Sequence, residues 1–404
     1  MKLSKHKLGE LIEVTRGASL SGQFYAEEGE LIRLTLGNFN MNGGGFKENT
    51  SKTDLYYTGT VKDEFILNKG DIITPLTEQS LGLLGTTARI PENGKYIQSQ
   101  DVALVKCKEG LLDPNFCYYL ISSSIVRQQL SAGAQQTKIR HTSPDKIKDC
   151  TVWVPEFEEQ KRIGRILTDI DEKITLNRQI NDNLEAMAKQ LYDYWFVQFD
   201  FPNEEGKPYK SNGGVMVWNE MLKREIPQGW NDCKIKDFMR IFTGKKDVSK
   251  AVPGNYKFFS CAPEPISSNE YIYDGYAVLV SGNGSYTGRV GFYKGKFDLY
   301  QRTYACVLDE DEHNISFFYY TLRYLFQPIY SGGKHGSSIP YIVLGDLADF
   351  RFAFNETICT KFVDAAKPMF DEQLLRQKEI EALTKQRDEL LPLLMNGQAS
   401  VNSD

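Results

Sequence analysis

The chain has 404 residues, of which 41% are hydrophobic and 25% are charged, and its formal net charge is −5. This length predicts two or three domains, and the composition is typical of a globular protein without a membrane span, since no apolar run approaches the roughly 18 residues that cross a bilayer. The acidic balance excludes a protein held to nucleic acid by overall charge alone, so any such role requires local basic loops or partner proteins.

Cysteine and histidine usage argues against disulfides and zinc. The seven cysteines are odd in number and far apart, without a CxxC pair, and there are only four histidines. We therefore expect reduced thiols in a cytoplasmic protein with no metal site. The start, MKLSKHKLGELIEV, has no apolar segment of the kind a signal peptide needs.

In chain order, the first predicted element is a mixed α/β head over residues 1–155. Short strand-like runs such as DEFILNKGDIIT alternate with turns, and a helix is predicted over NFCYYLISSSIVRQQLS with Asp113 as N-cap and Pro114 at its first position. A second head, 231–358, contains the strand-like GYAVLVSGNG and a twin helix, NISFFYYTLRYLFQPIY.

A long helix follows each head. The first spacer, 156–200, is predicted to be helical from Glu158 to about Val197, and the second, 359–398, from about Thr360 to Leu391. Apolar residues recur at steps of three and four, which is typical of a coiled-coil seam, and Asn177 and Asn181 occupy two seam positions. The other predicted seam residues are Ile163, Leu167, Ile170, Ile174, Leu184, Ala188, Leu191, Trp195, Phe370, Leu374, Ile380, Leu383, Leu390 and Leu394. We expect the helices to pack as an antiparallel coiled coil; the alternative is that each helix packs on its own head.

Two further segments complete the predicted organisation. Residues 201–230 are rich in Gly, Pro and Asn, so they are predicted to be a connector and hinge rather than a domain, and 399–404 a flexible tail.

The two halves of the chain repeat. KLGELIEVTRG near the start matches KIKDFMRIFTG past the midpoint, NFCYYLI matches SFFYYTL, GAQQTKI matches GKHGSSI, and DIDEKITLNRQI matches MFDEQLLRQKEI. Four matches in the same order predict a tandem duplication with pseudo-two-fold symmetry. Two unrelated α/β domains that share common patterns are the alternative.

Catalytic motifs are not recognisable. The chain has no GxxxxGK[ST] loop and no GxSxG elbow, and GNGSYTG has Thr287 where the last glycine of GxGxxG would stand. DPNF at Asp113–Phe116 is similar to the DPPY-type tetrapeptide of adenine methyltransferases, but it lacks the second proline and the N-cap interpretation explains it. We therefore predict a chain without catalytic residues.

Polar, glycine-flanked loops on both heads are the candidate functional residues. Gln and Asn pair with adenine and Arg or Lys with guanine, while Ser, Thr and Lys reach phosphates. Such loops are also ordinary solvated turns. However, GAQQTKI and GKHGSSI share their first glycine and last isoleucine and differ in the polar residues between them. This difference is what we expect of two heads that recognise different DNA sequences. The candidate DNA contacts are Arg16, Gln135, Gln136, Lys138, Arg140, Lys245, Lys246, Asn283, Ser285, Tyr286, Arg289, Lys334, His335 and Ser338.

The order of head, helix, head, helix, with YDYWFVQFDFPNEEGKPYKSNGGVMV, REIPQGW and VPEFEEQKRIGRIL, resembles the specificity (S) subunit of type I restriction–modification systems. The resemblance implies that each head reads one half of a split double-stranded DNA site. It implies that the helices set the spacing and dock methyltransferase (M) subunits, which methylate adenine with S-adenosylmethionine, and that restriction (R) subunits join them. No cofactor is then bound by this chain, with ATP and Mg²⁺ expected on partners. NETICTKFVDAA lacks the EEQKRI of the first helix, which leaves the start of the second open.

Three other functions remain open from the sequence. One is a coiled-coil adaptor with two protein-binding heads and no DNA readout. Another is a stand-alone methyltransferase with an unrecognised site in the heads. A third is a specificity subunit without a working partner.

Overall fold

The computed structural model describes residues 2–40, 44–78, 82–133, 140–309, 312–335 and 338–400. The chain forms two compact units, Met1–Asn177 with Lys378–Asp404 (unit 1) and Arg178–Gln377 (unit 2). The boundary falls inside both long helices, so each unit consists of one head and a part of each helix.

Unit 1 contains short strands, short helices and the beginning of the first long helix. Its strands are β1 (Ser4–Lys7), β2 (Ile12–Arg16), β3 (Tyr25–Ala26), β4 (Ile32–Arg33), β5 (Tyr56–Tyr57), β6 (Ile66–Leu67), β7 (Ile72–Pro75), β8 (Thr77–Glu78), β9 (Ala88–Arg89), β10 (Tyr96–Ile97), β11 (Val102–Cys107), β12 (Arg140–His141) and β13 (Thr151–Val154). Its helices are α1 (Leu8–Leu11), α2 (Pro114–Ser122), α3 (Ser124–Gly133), α4 (Pro144–Lys148) and the start of α5 (Phe157–Tyr192).

Unit 2 has longer strands and the beginning of the second long helix. Its strands are β14 (Met216–Asn219), β15 (Arg224–Pro227), β16 (Asn231–Lys234), β17 (Arg240–Thr243), β18 (Tyr256–Phe259), β19 (Ile266–Ser268), β20 (Tyr273–Ser281), β21 (Val290–Leu299), β22 (Thr303–Val307) and β23 (Arg351–Phe354). Its helices are α6 (Ile315–Thr321), α7 (Gln327–Tyr330), α8 (Leu344–Ala348) and the start of α9 (Glu356–Met395).

The two heads share one sheet topology. In unit 1 the main sheet has the order β2-β11-β7-β9, and a second, five-stranded sheet has the order β3-β5-β4-β10-β6. In unit 2 the order is β17-β22-β20-β21-β18-β19, so its first four strands take the places of the four in unit 1. A separate antiparallel pair joins the start of each head to its end, β1 with β13 and β16 with β23. The predicted internal repeat is therefore confirmed by the connectivity.

Each head buries its core between the main sheet and a helix. In unit 1, Phe116 and Leu120 on α2 are fully buried with Ala103 and Val105 on β11. Because side chains alternate across a strand, Leu104 and Ile73 face the other way and enter a second cluster with Leu34 and Tyr96.

The predicted cap of α2 is confirmed, but the helix is shorter than predicted. The Asp113 carboxylate accepts a hydrogen bond of 2.9 Å from the Phe116 amide, and Pro114 is the first helical residue. Ser123 is extended, with φ −66° and ψ 155°, so it separates α2 from α3. In the twin segment, a π-helical turn over Leu322–Phe326 separates α6 from α7.

The long helices match their predicted positions with shifted ends. Helix α5 stops at Tyr192 and continues as a π-helical turn over Asp193–Val197, while α9 starts at Glu356, before the predicted Thr360, and ends at Met395. In unit 1 their segments run antiparallel, because Asn177 Nδ2 donates to Glu379 (3.0 Å) and Arg387 pairs with Asp171 (2.9 Å).

Unit 2 has its own antiparallel helical contacts. Gln373 Nε2 lies 3.2 Å from Glu185 Oε2, and further along both segments the rings of Trp195 and Phe362 pack at 5.9 Å. From the first contact to the second, the residue number rises along the first helix and falls along the second. The two segments therefore run antiparallel.

The segment 201–230, predicted to be a connector and hinge, has ordered structure. Strands β14 and β15 form a hairpin, and Phe201 stacks on Trp230 with ring centroids 5.2 Å apart. The Asp200 carboxylate accepts from the Ser211 amide (2.7 Å) and hydroxyl (2.6 Å). Because Ile226 and Trp230 are buried in the core of unit 2, this segment is part of that unit's packing rather than a flexible hinge.

Replacing Gly164 in α5 with alanine is expected to destabilise the protein, although alanine is the better helix former. A Cβ atom there would lie 2.7 Å from the Phe116 backbone nitrogen and 2.9 Å from Asp113 Oδ1, because α5 passes against the start of α2. We expect Gly164→Ala to lower the free energy of unfolding by about 1–3 kcal/mol despite the better helix former. Gly345→Ala is the matched control, since a Cβ in α8 meets nothing within 4 Å. Urea titration measures both, and a Gly164→Ala protein as stable as wild type would contradict the close contact.

The carboxylate of Asp349, at the end of α8, is expected to make the stability of the protein fall in acid. Lys234 Nζ and Lys236 Nζ both lie 2.8 Å from Asp349 Oδ1, and these bonds lower the pKa of Asp349 to about 2. A lowered folded-state pKa stabilises the protein above the unfolded value of about 3.9, and the contribution disappears as pH falls towards 2. We expect the melting temperature of Asp349→Asn to lie below wild type at pH 6 and to converge with it near pH 2. An offset independent of pH would contradict this assignment.

Candidate nucleic-acid interface

Loops at one end of the unit 2 sheet are joined by backbone hydrogen bonds. Gly244 N donates to Tyr300 O (3.2 Å), Gly282 N to Arg302 O (2.9 Å), and Gly284 N to Pro340 O (2.9 Å). We call the segments 244–247, 282–289 and 300–302, together with 332–335 and 338–342, the unit 2 loop cluster. They bring together the predicted contacts of the second head, which lie far apart in sequence.

The first segment of the loop cluster holds two lysines with different surroundings. Lys245 is exposed, whereas Lys246 Nζ lies 2.7 Å from Glu270 Oε2 and 3.3 Å from the buried Asp298 carboxylate. The hydrogen bond with Glu270 raises the pKa of Lys246. Lys246 therefore anchors its loop, and its charge is already balanced by two carboxylates.

The second segment presents its tip and buries its ends. Ser285 and Tyr286 are exposed, and Tyr286 has 48% of its surface accessible. The Asn283 side-chain oxygen accepts from Cys261 Sγ at 3.1 Å. Arg289 Nη2 donates to Ala262 O (2.8 Å), and burial lowers the pKa of Arg289, with the neighbouring Arg323 adding to the effect.

The last segment of the loop cluster packs its basic side chains on aromatic rings. Lys334 Nζ lies 4.2 Å from the centre of the Tyr330 ring. His335 stacks on Tyr341 at 5.3 Å, and its Nε2 lies 3.1 Å from Asp346 Oδ2. Ser338 is exposed.

In unit 1 one described candidate ends a strand of the main sheet, and the other lies in the separate β8–β12 pair. Arg16, the last residue of β2, donates from Nε to Gln100 O at 2.8 Å. Arg140 faces Glu78 in the β8–β12 pair, with 3.7 Å between Nη1 and Oε1, and also donates to Ser131 Oγ (3.1 Å). Gln135, Gln136 and Lys138 lie outside the described residues.

The turn before an interior strand of each main sheet was not among the predicted loops. In unit 2 this turn carries Gln301 and Arg302, and in unit 1 Gln100 and Asp101; the first three are exposed and Asp101 is half-buried. The predicted loops are flanked by glycine, and these turns have none. Aligning the two halves at a separation of 201 residues, as NFCYYLI and SFFYYTL require, places Gln100 opposite Gln301.

The predicted seam residues divide between two kinds of packing. Ile163 and Leu167 are buried against the unit 1 head together with Leu394, and partly buried Leu390 packs on both this cluster and the next. Ile170, Ile174 and Ile380 form a separate cluster between the helices, against which Leu383 packs. In unit 2, Ala188, Trp195 and Phe370 are buried in the large core, against which Leu191 and Leu374 pack.

The remaining predicted seam positions of the first helix are buried or half-buried. Asn177 is 1% exposed and bonded to Glu379, whereas Asn181 and Leu184 are half-buried. The backbone oxygen of Asn181 accepts from Gln373 Nε2 at 3.4 Å. The predicted seam positions thus pack within the chain, whereas Leu176 and Leu375 on the same helices are exposed.

The structure also limits other kinds of site. All seven cysteines are free thiols. In the part of the chain that the structure describes, no three His, Cys, Asp or Glu side chains gather as metal ligands, and no helix has the length and apolar content to cross a membrane.

Comparison with known proteins gives consistent matches. The family described as "Type I restriction modification DNA specificity domain" matches residues 2–186 and 227–354, together more than half of the chain. The MjaIX specificity subunit of Methanocaldococcus jannaschii is 25% identical over 324 residues, which are 73% of this chain and 71% of that protein. The EcoDI specificity subunit of Escherichia coli is 32% identical over 184 residues, 44% of this chain and 40% of that protein.

A solved structure shares the fold. The crystal structure of the type I restriction–modification S subunit from M. genitalium superposes with a TM-score of 0.62 at 17% identity, covering 98% of this chain and 96% of the other. The likeness therefore extends along both chains.

Proposed function

This chain belongs to the family of type I restriction–modification DNA specificity subunits, and from that premise we propose that each of its heads reads one half of a split DNA site. One observation carries the proposal: in unit 2, loops from four separate parts of the head are hydrogen-bonded into one cluster that exposes basic, polar and aromatic side chains. In unit 1, Arg16 ends strand β2 of the equivalent sheet, and Arg140 lies in the separate β8–β12 pair that follows strand β7 of that sheet. Duplex DNA is recognised by such combinations of phosphate and base contacts.

We further propose that the chain is not itself an enzyme. Its sequence contains no GxxxxGK[ST], GxSxG or GxGxxG motif, and the polar groups of the unit 2 loop cluster suit binding. Methyl transfer to adenine would then belong to M subunits with S-adenosylmethionine, and ATP- and Mg²⁺-dependent steps to R subunits.

The two long helices are proposed to set the half-site spacing and to dock the M subunits. At about 1.5 Å per residue, the 36 residues of α5 measure about 54 Å. Their outward faces carry large apolar side chains: Leu176 is 55% exposed, and Met187 and Leu375 are each 56% exposed. Exposed apolar residues on a helix whose seam is already buried are suited to a protein partner.

Selection from random-sequence duplexes tests the proposed function. The full chain, assembled with the M subunit encoded beside it, should enrich a split motif with a fixed unspecified gap. Enrichment that is the same for M alone, or the absence of any sequence preference, would contradict it. An assembled complex without sequence preference would favour the adaptor alternative.

A further inference from the structure

One turn occurs in both heads and contains none of the contacts predicted from the sequence. In unit 2 it is Tyr300–Arg302, which joins β21 to β22, and in unit 1 it is Ser99–Asp101, which joins β10 to β11. Strand β22 lies between β17 and β20, and β11 lies between β2 and β7. The turn therefore leads into an interior strand of the main sheet in both heads.

The backbone of the unit 2 turn is fixed from several sides. Tyr300 N donates to Phe259 O (3.0 Å), and Gln301 N donates to Lys246 O (3.0 Å). The Arg302 oxygen accepts from Gly282 N at 2.9 Å and from Cys261 Sγ at 3.3 Å. Only the side chains of Gln301 and Arg302 are left exposed, so the turn presents two long polar groups from a backbone that is already ordered.

The unit 1 turn has the same construction. Val102 N donates to Ser99 O at 3.0 Å, as Thr303 N does to Tyr300 O. Leu76 N donates to Asp101 O at 2.8 Å, in the place of the Gly282–Arg302 bond. Each turn also forms a parallel bridge with the segment after the first sheet strand, Ala18 with Ser99 and Lys246 with Tyr300. Gln100 thus corresponds to Gln301, and Asp101 to Arg302.

We propose that this turn is a base-reading element in both heads, with Gln301 and Arg302 reading neighbouring base pairs in one half-site and Gln100 and Asp101 in the other. The inference rests on the proposed function. A glutamine amide pairs bidentately with adenine, an arginine guanidinium with guanine, and an aspartate accepts from the amino group of cytosine. Because both turns carry a glutamine, both half-sites should contain an adenine at that position. Because Arg302 in one turn corresponds to Asp101 in the other, the neighbouring base should differ between the half-sites.

Arg302 is better suited to this role than three of the cations first predicted for the second head. Lys246 and His335 are already paired with carboxylates, and Arg289 is held by a backbone oxygen. Across the described residues, the Arg302 side chain makes neither an ion pair nor a hydrogen bond. Its donors can therefore engage a base without first breaking an internal contact.

The test uses the full chain assembled with its M subunit and the duplex selected by the wild-type complex. We expect Arg302→Ala to weaken binding to that duplex roughly 5- to 150-fold and to relax one position of one half-site, while the other half keeps its sequence. Gln100→Ala should relax a position of the other half. Arg240→Ala, which removes an equal charge from the opposite end of the same sheet, is the control and should change binding less than twofold.

Arg302→Lys separates base reading from phosphate contact. Lysine keeps the charge but loses the bidentate fork, so we expect the guanine preference to fall while nonspecific binding is retained. Unchanged base preference in both Arg302→Ala and Arg302→Lys, with melting temperatures equal to wild type, would overturn the inference and leave the proposed function standing. A wild-type complex without any sequence preference would overturn the proposed function itself.

Discussion

Replacing Phe362 with alanine is expected to lower the free energy of unfolding of unit 2 by about 3–5 kcal/mol. Phe362 is fully buried near the start of α9. Its ring packs edge-on against Phe196 at 5.1 Å and Tyr192 at 5.8 Å on the first helix, and against Tyr320 at 6.0 Å in the head. Alanine would leave a cavity at the point where both helices and the head meet, and a dense core of rings collapses poorly around a void.

Denaturant titration measures this effect, and the fluorescence of Trp195 and Trp230 reports on the same core. Phe362→Leu is the matched variant: it keeps most of the volume and should cost about 1.5 kcal/mol or less. A loss below 1 kcal/mol for Phe362→Ala would contradict the packing described for α9.

Lengthening both helices together is expected to change the DNA site rather than abolish recognition. One heptad inserted after Asn177 and another after Gln377, the last residues before the unit boundary in each helix, preserves the seam of an antiparallel pair. Seven residues add about 10 Å of helix, or about three base pairs of duplex. The original motif should be lost, and the same two half-sites should reappear with a gap about three base pairs longer.

The control for this experiment is an insertion of the same length at Met221, in the turn of the β14–β15 hairpin. That turn lies outside both helices, so the gap should stay unchanged. Selection from random duplexes, or mapping of methylated sites, reads the gap directly. An unchanged gap in the protein with lengthened helices would show that the helices do not set the spacing.

Local sequence signals predicted the long elements well. Apolar residues spaced three and four positions apart predicted α5 and α9, and Asp113 with Pro114 predicted the start of α2. These features depend on residues within one or two helical turns of each other, so they can be predicted without tertiary information. The break at Ser123 was missed because three consecutive serines can continue a helix or end it.

The candidate site was predicted less completely, for a different physical reason. Which cations are available depends on carboxylates far away in sequence, as Lys246 with Glu270 and Asp298 shows. Arg302 was missed because its turn is shaped by hydrogen bonds to three other loops rather than by its own glycine or proline. Comparing equivalent turns in the two halves provides a signal that inspecting each loop alone does not.

Methylation mapping is the most direct test of whether both heads read DNA. The chain would be expressed with the M subunit encoded beside it, in a host without other DNA methylation, and modified adenines would be mapped across the genome. We predict a split motif with a fixed gap that disappears when this chain is omitted and that changes in one half alone in Arg302→Ala. Methylation without a motif, although M and this chain co-purify, would contradict the claim that the two heads read DNA.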